Sequence, residues 1–447
     1  MDRVTVRRRP GSLITNAARE DVFARDAVWG RDGWIIFVAT VIVLLLILLP
    51  RYDQKKTKLI DAYGYEFAIE NFAHGRWLVS DADIEARLAE LDKHSPFQLM
   101  VVAIGEGEWA FRKSPGYPLL VLPFQKLGLS RAANGVLLIL AAGALYAALG
   151  AWRGKRFAFM GVLVFLFTPM TLRAAYFSTM DTFAAGSLPL IAASLLILYR
   201  YRLAGTAAAG PALVAAGLFG GWSVVTRIHN LPILLLLLVF ALLCGRSTGQ
   251  KRDSVAFAAG LIIPFSVLLI YNQAVFGRPL ATGYTYDSPF QELFLWESNT
   301  LTEMHGQPLW HAAPSLQSLG ETIIHHLLLW LEPLLRGWPL LPLALAALLA
   351  SAFWRRFSTI FWLCILWIAA TYALYAGIVY FGITYELSVP YFRGTGFFAV
   401  DRYLYPASFP ITLLTTVFLA SLRREHANLL LLFLVAAGLV NHALFVL

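Results

Sequence analysis

Eleven stretches of this sequence are apolar over the length needed to cross a bilayer, and they leave little choice of fold. They lie near residues 34–50, 132–152, 157–173, 182–201, 207–226, 230–245, 254–274, 337–353, 358–378, 403–421 and 427–446. A helix needs about 17–25 apolar residues to cross the hydrocarbon. In lipid every backbone N–H and C=O must be satisfied inside the spanning structure itself. Soluble domains are about a quarter charged, whereas this chain is 14% charged and 58% hydrophobic. The expected class is an all-α, polytopic integral membrane protein with about 11 transmembrane helices. The block at 116–129, GYPLLVLPFQKLGL, is short and holds Pro118, Pro123 and Lys126. It reads as a helix lying along the membrane surface.

Charge orients the spans. With the N-terminus cytoplasmic, the tail and the inner loops hold 19 cations against 7 acids. The outer ends beyond residue 131 hold 6 cations against 9 acids, and the first outer loop balances 11 against 11. Every short basic loop then lies inside, as the positive-inside rule requires. A full span at 116–129 would invert all of them. The net charge of +9 is thus a matter of membrane topology, and no nucleic-acid partner is expected. Residues 1–33 are polar, with seven arginines, which is too long and too polar a start for a signal peptide. They read as a cytoplasmic tail before an uncleaved anchor, and residues 34–447 as one transmembrane domain.

Three long segments face outward in this scheme, 51–131, 275–336 and 379–402, while the inner loops are short. Irregular mass gathered on one face places the work on that face. The expected location is the inner or plasma membrane, multi-pass, with the active site periplasmic or extracellular. Within the first outer loop the reading is a helix over 59–74, a turn at Gly75-Arg76 and an amphipathic helix over 81–93. The apolar 97–104, the Gly105-Glu106-Gly107 turn and the Arg112–Pro118 turn follow. These are juxtamembrane helices of the first outer loop.

Candidate site residues gather at the outer ends. Asp61 and Tyr65 share one helix face, a turn apart, while Glu66 falls on another. A partly desolvated carboxylate there suits a general base toward a hydroxyl, and the same pattern also fits a solvated interfacial helix. Arg112 and Lys113, ahead of Pro115-Gly116 and Tyr117, suit a phosphate or an anionic headgroup equally. Asp181 fits a helix cap or a second pocket acid. Arg227, His229 and Arg402 stand at span ends, where arginines either meet an anion or snorkel. The histidines His305, His311, His325 and His326 signal a metal only weakly, so none is assigned, although a divalent ion remains possible. Cys244 and Cys364 both lie in apolar blocks, so no disulfide framework organises the chain. No phosphate loop, dinucleotide fingerprint or HExxH occurs.

Several of these pieces occur in a recognisable order. They are Asp61-Ala-Tyr-Gly-Tyr-Glu-Phe-Ala with His74-Gly75-Arg76; Lys113-Ser-Pro-Gly-Tyr-Pro; Ser178-Thr-Met-Asp181; Trp222 through Arg227 to Pro232; Tyr271-Asn272 with Phe276-Gly277-Arg278-Pro279 and Gly283-Tyr284; and Asp401-Arg402-Tyr403-Leu-Tyr-Pro406. Together they resemble the C-type superfamily of membrane glycosyltransferases, in the branch of dolichyl-phosphate-mannose protein mannosyltransferases and aminoarabinose transferases. Ser114 departs from the second proline common in relatives, 78–111 is a longer stretch than many have, and the large C-terminal soluble domain of some branches is not seen.

The resemblance implies a polyprenyl-phosphate-linked sugar as donor and inverting transfer to an acceptor hydroxyl on the non-cytoplasmic face. The acceptor would be an envelope glycan, a lipid or a protein. Asp61 is the implied base, with Asp181 as a second acid. Arg112, Lys113, Arg227 and Arg402 are assigned to the donor phosphate, and Tyr65, Glu66, Tyr117, His229 and Tyr284 to the substrate pocket. No cofactor is implied. Two other classes compete. A transporter or flippase of lipid-linked sugars should carry repeats and mid-bilayer polar residues, and a polysaccharide polymerase or ligase should put its catalytic weight in a late outer loop.

Overall fold

The computed structural model describes residues 31–48, 60–90, 100–176, 180–248, 253–283, 338–352, 359–371 and 402–446. A helix stands at each of the eleven apolar blocks. Seven of them, among the described residues, are long and apolar enough to cross a membrane, or eight if one bent pair counts as a single span. The elements in chain order begin with α1 (Arg31–Leu48) and α2 (Ile60–Ala73). Next come β1 (Leu78–Ser80), α3 (Asp81–Glu90), β2 (Val101–Gly105), β3 (Glu108–Phe111) and α4 (Gly116–Lys126). The bundle follows with α5 (Ala132–Arg153), α6 (Lys155–Phe167), α7 (Pro169–Tyr176), α8 (Thr182–Leu198) and α9 (Ala209–Thr226). It is completed by α10 (Leu231–Thr248), α11 (Asp253–Phe276), α12 (Leu341–Ala352), α13 (Thr359–Thr371), α14 (Ser408–Ser421) and α15 (Arg424–Val446).

At 11 residues α4 is only about 16 Å long, too short to cross. The block at 157–173 is not one straight span. It is α6 and α7, bent by 54°. The cause is local: Pro169 pushes the residue before it out of the helical region, and Thr168 is extended at φ −60°, ψ 126°. Pro169 then opens α7, where its missing N–H costs nothing.

The expectation of an all-α chain needs one correction. The first loop contains a three-stranded antiparallel sheet in the order β1-β3-β2. The turn at Gly105-Glu106-Gly107 joins β2 to β3, with Gly107 at φ +74°, a conformation glycine takes without strain. Strands of three to five residues are too short for alternation to announce them. The sheet is fastened to the bundle by Phe72, Val102, Ala110, Tyr271, Val275 and Phe276, a cluster joining α2, the strands and the end of α11. Ser80 and Asp83 cap α3 reciprocally: the Ser80 N–H and hydroxyl donate to Asp83 at 3.0 and 2.8 Å, and the Asp83 N–H donates to Ser80 at 3.3 Å. These bonds, with Arg76 nearby, hold the Asp83 carboxyl below its usual range.

Helix α8 is the axis of the bundle, packed against α5, α9, α10 and α14. Lipid offers no hydrophobic drive for helices to associate, so close backbone approach through small residues does that work. Between α9 and α11 a Cβ on Gly217 would collide with the Phe257 carbonyl, and one on Gly260 with the Val214 carbonyl. Gly217→Val therefore forces these helices apart and should sharply lower the folded yield and melting temperature in detergent. Gly210→Ala, on the same helix but facing open space, should leave both unchanged; equal melting of the two variants would count against the packing account.

Candidate functional site

The site forms where three chain breaks meet at one end of the bundle. Strand β3 ends at Phe111, and the Arg112 N–H still pairs with the Met100 carbonyl at 2.9 Å. Lys113 and Ser114 follow, and Pro115 opens α4. Gly116 lies directly on the backbone of Val225 and Thr226, where any Cβ would collide. The Trp222 indole N–H donates to the Gly116 carbonyl at 3.2 Å. The start of α4 is thus docked onto the end of α9 by a residue without a side chain and one hydrogen bond.

There α9 stops. Arg227 is extended at φ −147°, ψ 107°, and a 3-10 turn, Ile228–Asn230, leads into α10. The freed backbone is braced by the Asn230 side-chain amide, which donates to the Ala185 carbonyl at 2.8 Å. The extended backbone turns Arg227 toward Asp181, just before α8. Its Nε meets Asp181 Oδ2 at 2.9 Å and its Nη2 meets Oδ1 at 2.5 Å. Both residues are more than nine-tenths buried. The capping role open to Asp181 in the sequence is not the one observed: among the described residues its side chain makes no capping hydrogen bond. Its two oxygens serve the guanidinium instead, in the planar bidentate geometry arginine favours.

Tyr117, fully buried in the first turn of α4, completes the wall. Its hydroxyl reaches Asn134 Oδ1 at 3.4 Å, and the Asn134 amide donates to the Ala175 carbonyl of α7 at 3.2 Å. Burial, with the Asp181 charge nearby, pushes the Tyr117 phenol well above its ordinary value, so it stays protonated. The ring of Tyr65 meets Tyr117 edge-on at 5.4 Å and Phe111 at 5.4 Å, which joins α2 to the site. The charges of Arg227, Lys113 and Asp181 all act on the His229 ring. Lys113, Tyr117, Asp181, Arg227, His229 and Tyr65 are therefore brought together.

The remaining candidates are placed less closely. Asp61 stands one turn before Tyr65 on α2, and its side chain lies outside the described ones. The same holds for the side chain of Arg402, which opens the 3-10 turn Arg402–Ala407. Tyr284 and the four histidines of the second outer loop lie outside the described residues. Glu66 pairs with Arg87 of α3 at 3.6 Å, in a cluster shared with Glu70 and Glu90. Among the described residues no group of three or more His, Cys, Asp or Glu could hold a metal ion. Asn134 and Asn230 are additions. Their signal was available, since each is an amide at the start of an apolar block, and buried amides need partners.

Beneath the site runs an apolar groove of about 350 Å³. Its walls include Leu120 and Phe124 of α4, Leu137 of α5, Leu188 of α8, and Phe219 and Trp222 of α9. Trp222 belongs to both, with its N–H on the Gly116 carbonyl and its ring on the groove.

The fold has solved counterparts. ArnT from Cupriavidus metallidurans, bound to undecaprenyl phosphate, superposes with a TM-score of 0.52 at 17% identity over 90% of this chain. The Archaeoglobus fulgidus oligosaccharyltransferase, in complex with Zn and sulfate, gives 0.55 at 13% identity over 92%. The chain shares the fold of these two proteins. This chain covers 63% of the ArnT chain and 53% of the oligosaccharyltransferase chain. No family model and no curated protein sequence matches it.

The buried pair gives a direct test. Removing one partner strands a charge away from water, at a cost of about 3–5 kcal/mol, whereas removing both charges together is far cheaper. Asp181→Asn and Arg227→Met should each melt well below the parent, and the double variant should recover much of the loss. Additive losses in the double-mutant cycle would show that the two residues do not act as a pair.

Proposed function

We propose that this chain is a membrane glycosyltransferase that moves a sugar from a polyprenyl-phosphate donor to an acceptor hydroxyl on the non-cytoplasmic side. One observation carries the reading: a cationic turn, Arg112-Lys113, stands just before the helix that roofs an apolar groove. A phosphate bearing a long isoprenoid chain matches that pairing, with its charge at the turn and its tail in the groove. The fold shared with ArnT and the oligosaccharyltransferase supports the class.

In this reading all eleven apolar blocks lie in the membrane, the protein belongs to the plasma or inner membrane, and the site end faces outward. Inversion follows from a single displacement. Asp61 takes the proton from the acceptor hydroxyl, the acceptor oxygen bonds to the anomeric carbon, and the bond from that carbon to the phosphate oxygen breaks. The phosphate leaves with the electron pair and the polyprenyl chain. Lys113, with Arg112 and Arg402, stabilises the departing charge, and Tyr65, Tyr117, His229 and Tyr284 border the sugar. Arg227 holds Asp181 in two hydrogen bonds and this pair shapes the pocket, while Lys113, on the turn before α4, meets the phosphate. The acceptor is an envelope glycan, lipid or protein hydroxyl.

Two measurements bear on this. Asp61→Asn should reach the membrane at normal levels and lose transfer almost completely, while Lys113→Ala should lose about 10–100-fold in kcat/KM, the worth of one charge-assisted hydrogen bond. Undiminished transfer by Asp61→Asn would remove Asp61 as the base. Topology reporters fused after residues 100 and 155 should report opposite sides of the membrane, the first non-cytoplasmic. The reverse result would place the site on the wrong face for this donor.

A further inference from the structure

The opposite end of the bundle carries a second built feature that the proposed transfer does not use. Asn134, at the site, and Arg153 lie at the two ends of α5, 19 residues or about 28 Å apart. At the far end two turns come together. One is the α5–α6 turn with Arg153, Lys155 and Arg156, made at Gly154. The other is a π-helical turn, Tyr199–Leu203, that ends α8 and carries Arg200 and Arg202. Its widened geometry is closed by a hydrogen bond from the Ala204 N–H to the Tyr199 carbonyl at 2.9 Å. Such π-turns are rare and concentrate at functional positions.

Aromatic rings lock the two turns to each other. Trp152 and Tyr201 lie 6.4 Å apart. The Arg153 guanidinium sits over Trp152 at 5.0 Å, and that of Arg200 over Tyr201 at 5.6 Å. Two guanidinium groups from distant parts of the chain are thereby held about one aromatic pair. Between Arg131 and Lys251 the sequence holds a single acid, Asp181, which is paired at the other end. Both turns stand at the ends of helices long and apolar enough to cross a membrane, Ala132–Arg153 and Thr182–Leu203. Alongside, Cys244 of α10 approaches Arg200, and the same helix leaves Val239, Leu242 and Leu243 about half-exposed, as a surface for acyl chains.

We infer that Arg153 and Arg200, framed by Trp152 and Tyr201, form a binding site for the phosphate of an anionic diacyl phospholipid. The arrangement differs from a diffuse positive surface, because the guanidinium groups are positioned by rings that also suit the interface. Basic pockets between the ends of membrane-spanning helices bind anionic lipid headgroups. The inference rests on no reading of the catalytic end.

The test uses the purified full-length chain in non-ionic detergent and follows thermal unfolding. Added phosphatidylglycerol should raise the melting temperature saturably, by about 4 °C. Phosphatidylcholine, inorganic phosphate and glycerol 3-phosphate at equal concentration should not. Arg153→Gln/Arg200→Gln should abolish the shift. So should the single Arg153→Gln in large part, which covers the case of a double variant that fails to fold. Arg423→Gln/Arg424→Gln, at another basic turn, should keep it. Equal shifts from the two lipids, a full shift in Arg153→Gln, or equal loss in the Arg423/Arg424 variant would each overturn the site. A shift from inorganic phosphate alone would overturn the lipid as its ligand.

Discussion

Much of the candidate site hangs on one buried ion pair. Asp181 precedes α8, Arg227 follows α9, and the bidentate contact between them ties the axis of the bundle to the break between α9 and α10. Moving these charges out of water is costly, and the pair recovers that cost only through near-ideal geometry. The extended Arg227 backbone supplies it. The docking of α4 then follows, because Gly116 rests on the two residues immediately before Arg227. If the guanidinium moved, the end of α9 would move with it, and so would the turn that carries Lys113 and Tyr117.

The same logic explains why the site lies where it does. Irregular backbone at membrane depth is tolerated only where protein covers it or where it lines a cavity. Among the described residues three such stretches meet at the site end: the Arg227–Asn230 break, the start of α4 and the 3-10 turn Arg402–Ala407. Several carbonyls beside these breaks accept side-chain donors: Ala185 from Asn230, Ala175 from Asn134, and Pro406 from the Trp367 indole. A concentration of polar groups on irregular backbone beside an apolar groove sets a polar head and an apolar tail within a few residues of each other. An amphiphilic phosphate requires that combination.

What the sequence disclosed, and what it withheld, follows the range of the interactions. Apolar length is a local property, so every block corresponds to a helix, and the short α4 was separable from the spans. The 54° bend at Pro169 was also local in origin, but it sat inside a block whose mean hydropathy hid it. The sheet escaped because its strands are short and one of its two pairings, β1 with β3, joins residues about 30 apart across α3. Asp181 is the clearest case. Next to a helix start, an aspartate reads as a cap, and only the fold reveals an arginine 46 residues later that takes both oxygens. Lys113, Tyr117 and His229 were legible as site candidates, because each sits at the mouth of an apolar block.

These contacts also divide the work among the cations. A guanidinium that already holds a carboxylate in two parallel hydrogen bonds presents little net charge to a second anion. It is better suited to holding walls than to stabilising a leaving group. Lys113 differs in kind: it stands on a turn whose backbone is anchored through Gly116, and an ammonium on a flexible stem can follow a phosphate as charge develops. In the proposed reaction, then, Arg227 keeps the pocket in shape, Lys113 meets the phosphate, and the acid that must remain open toward the acceptor is the one on α2.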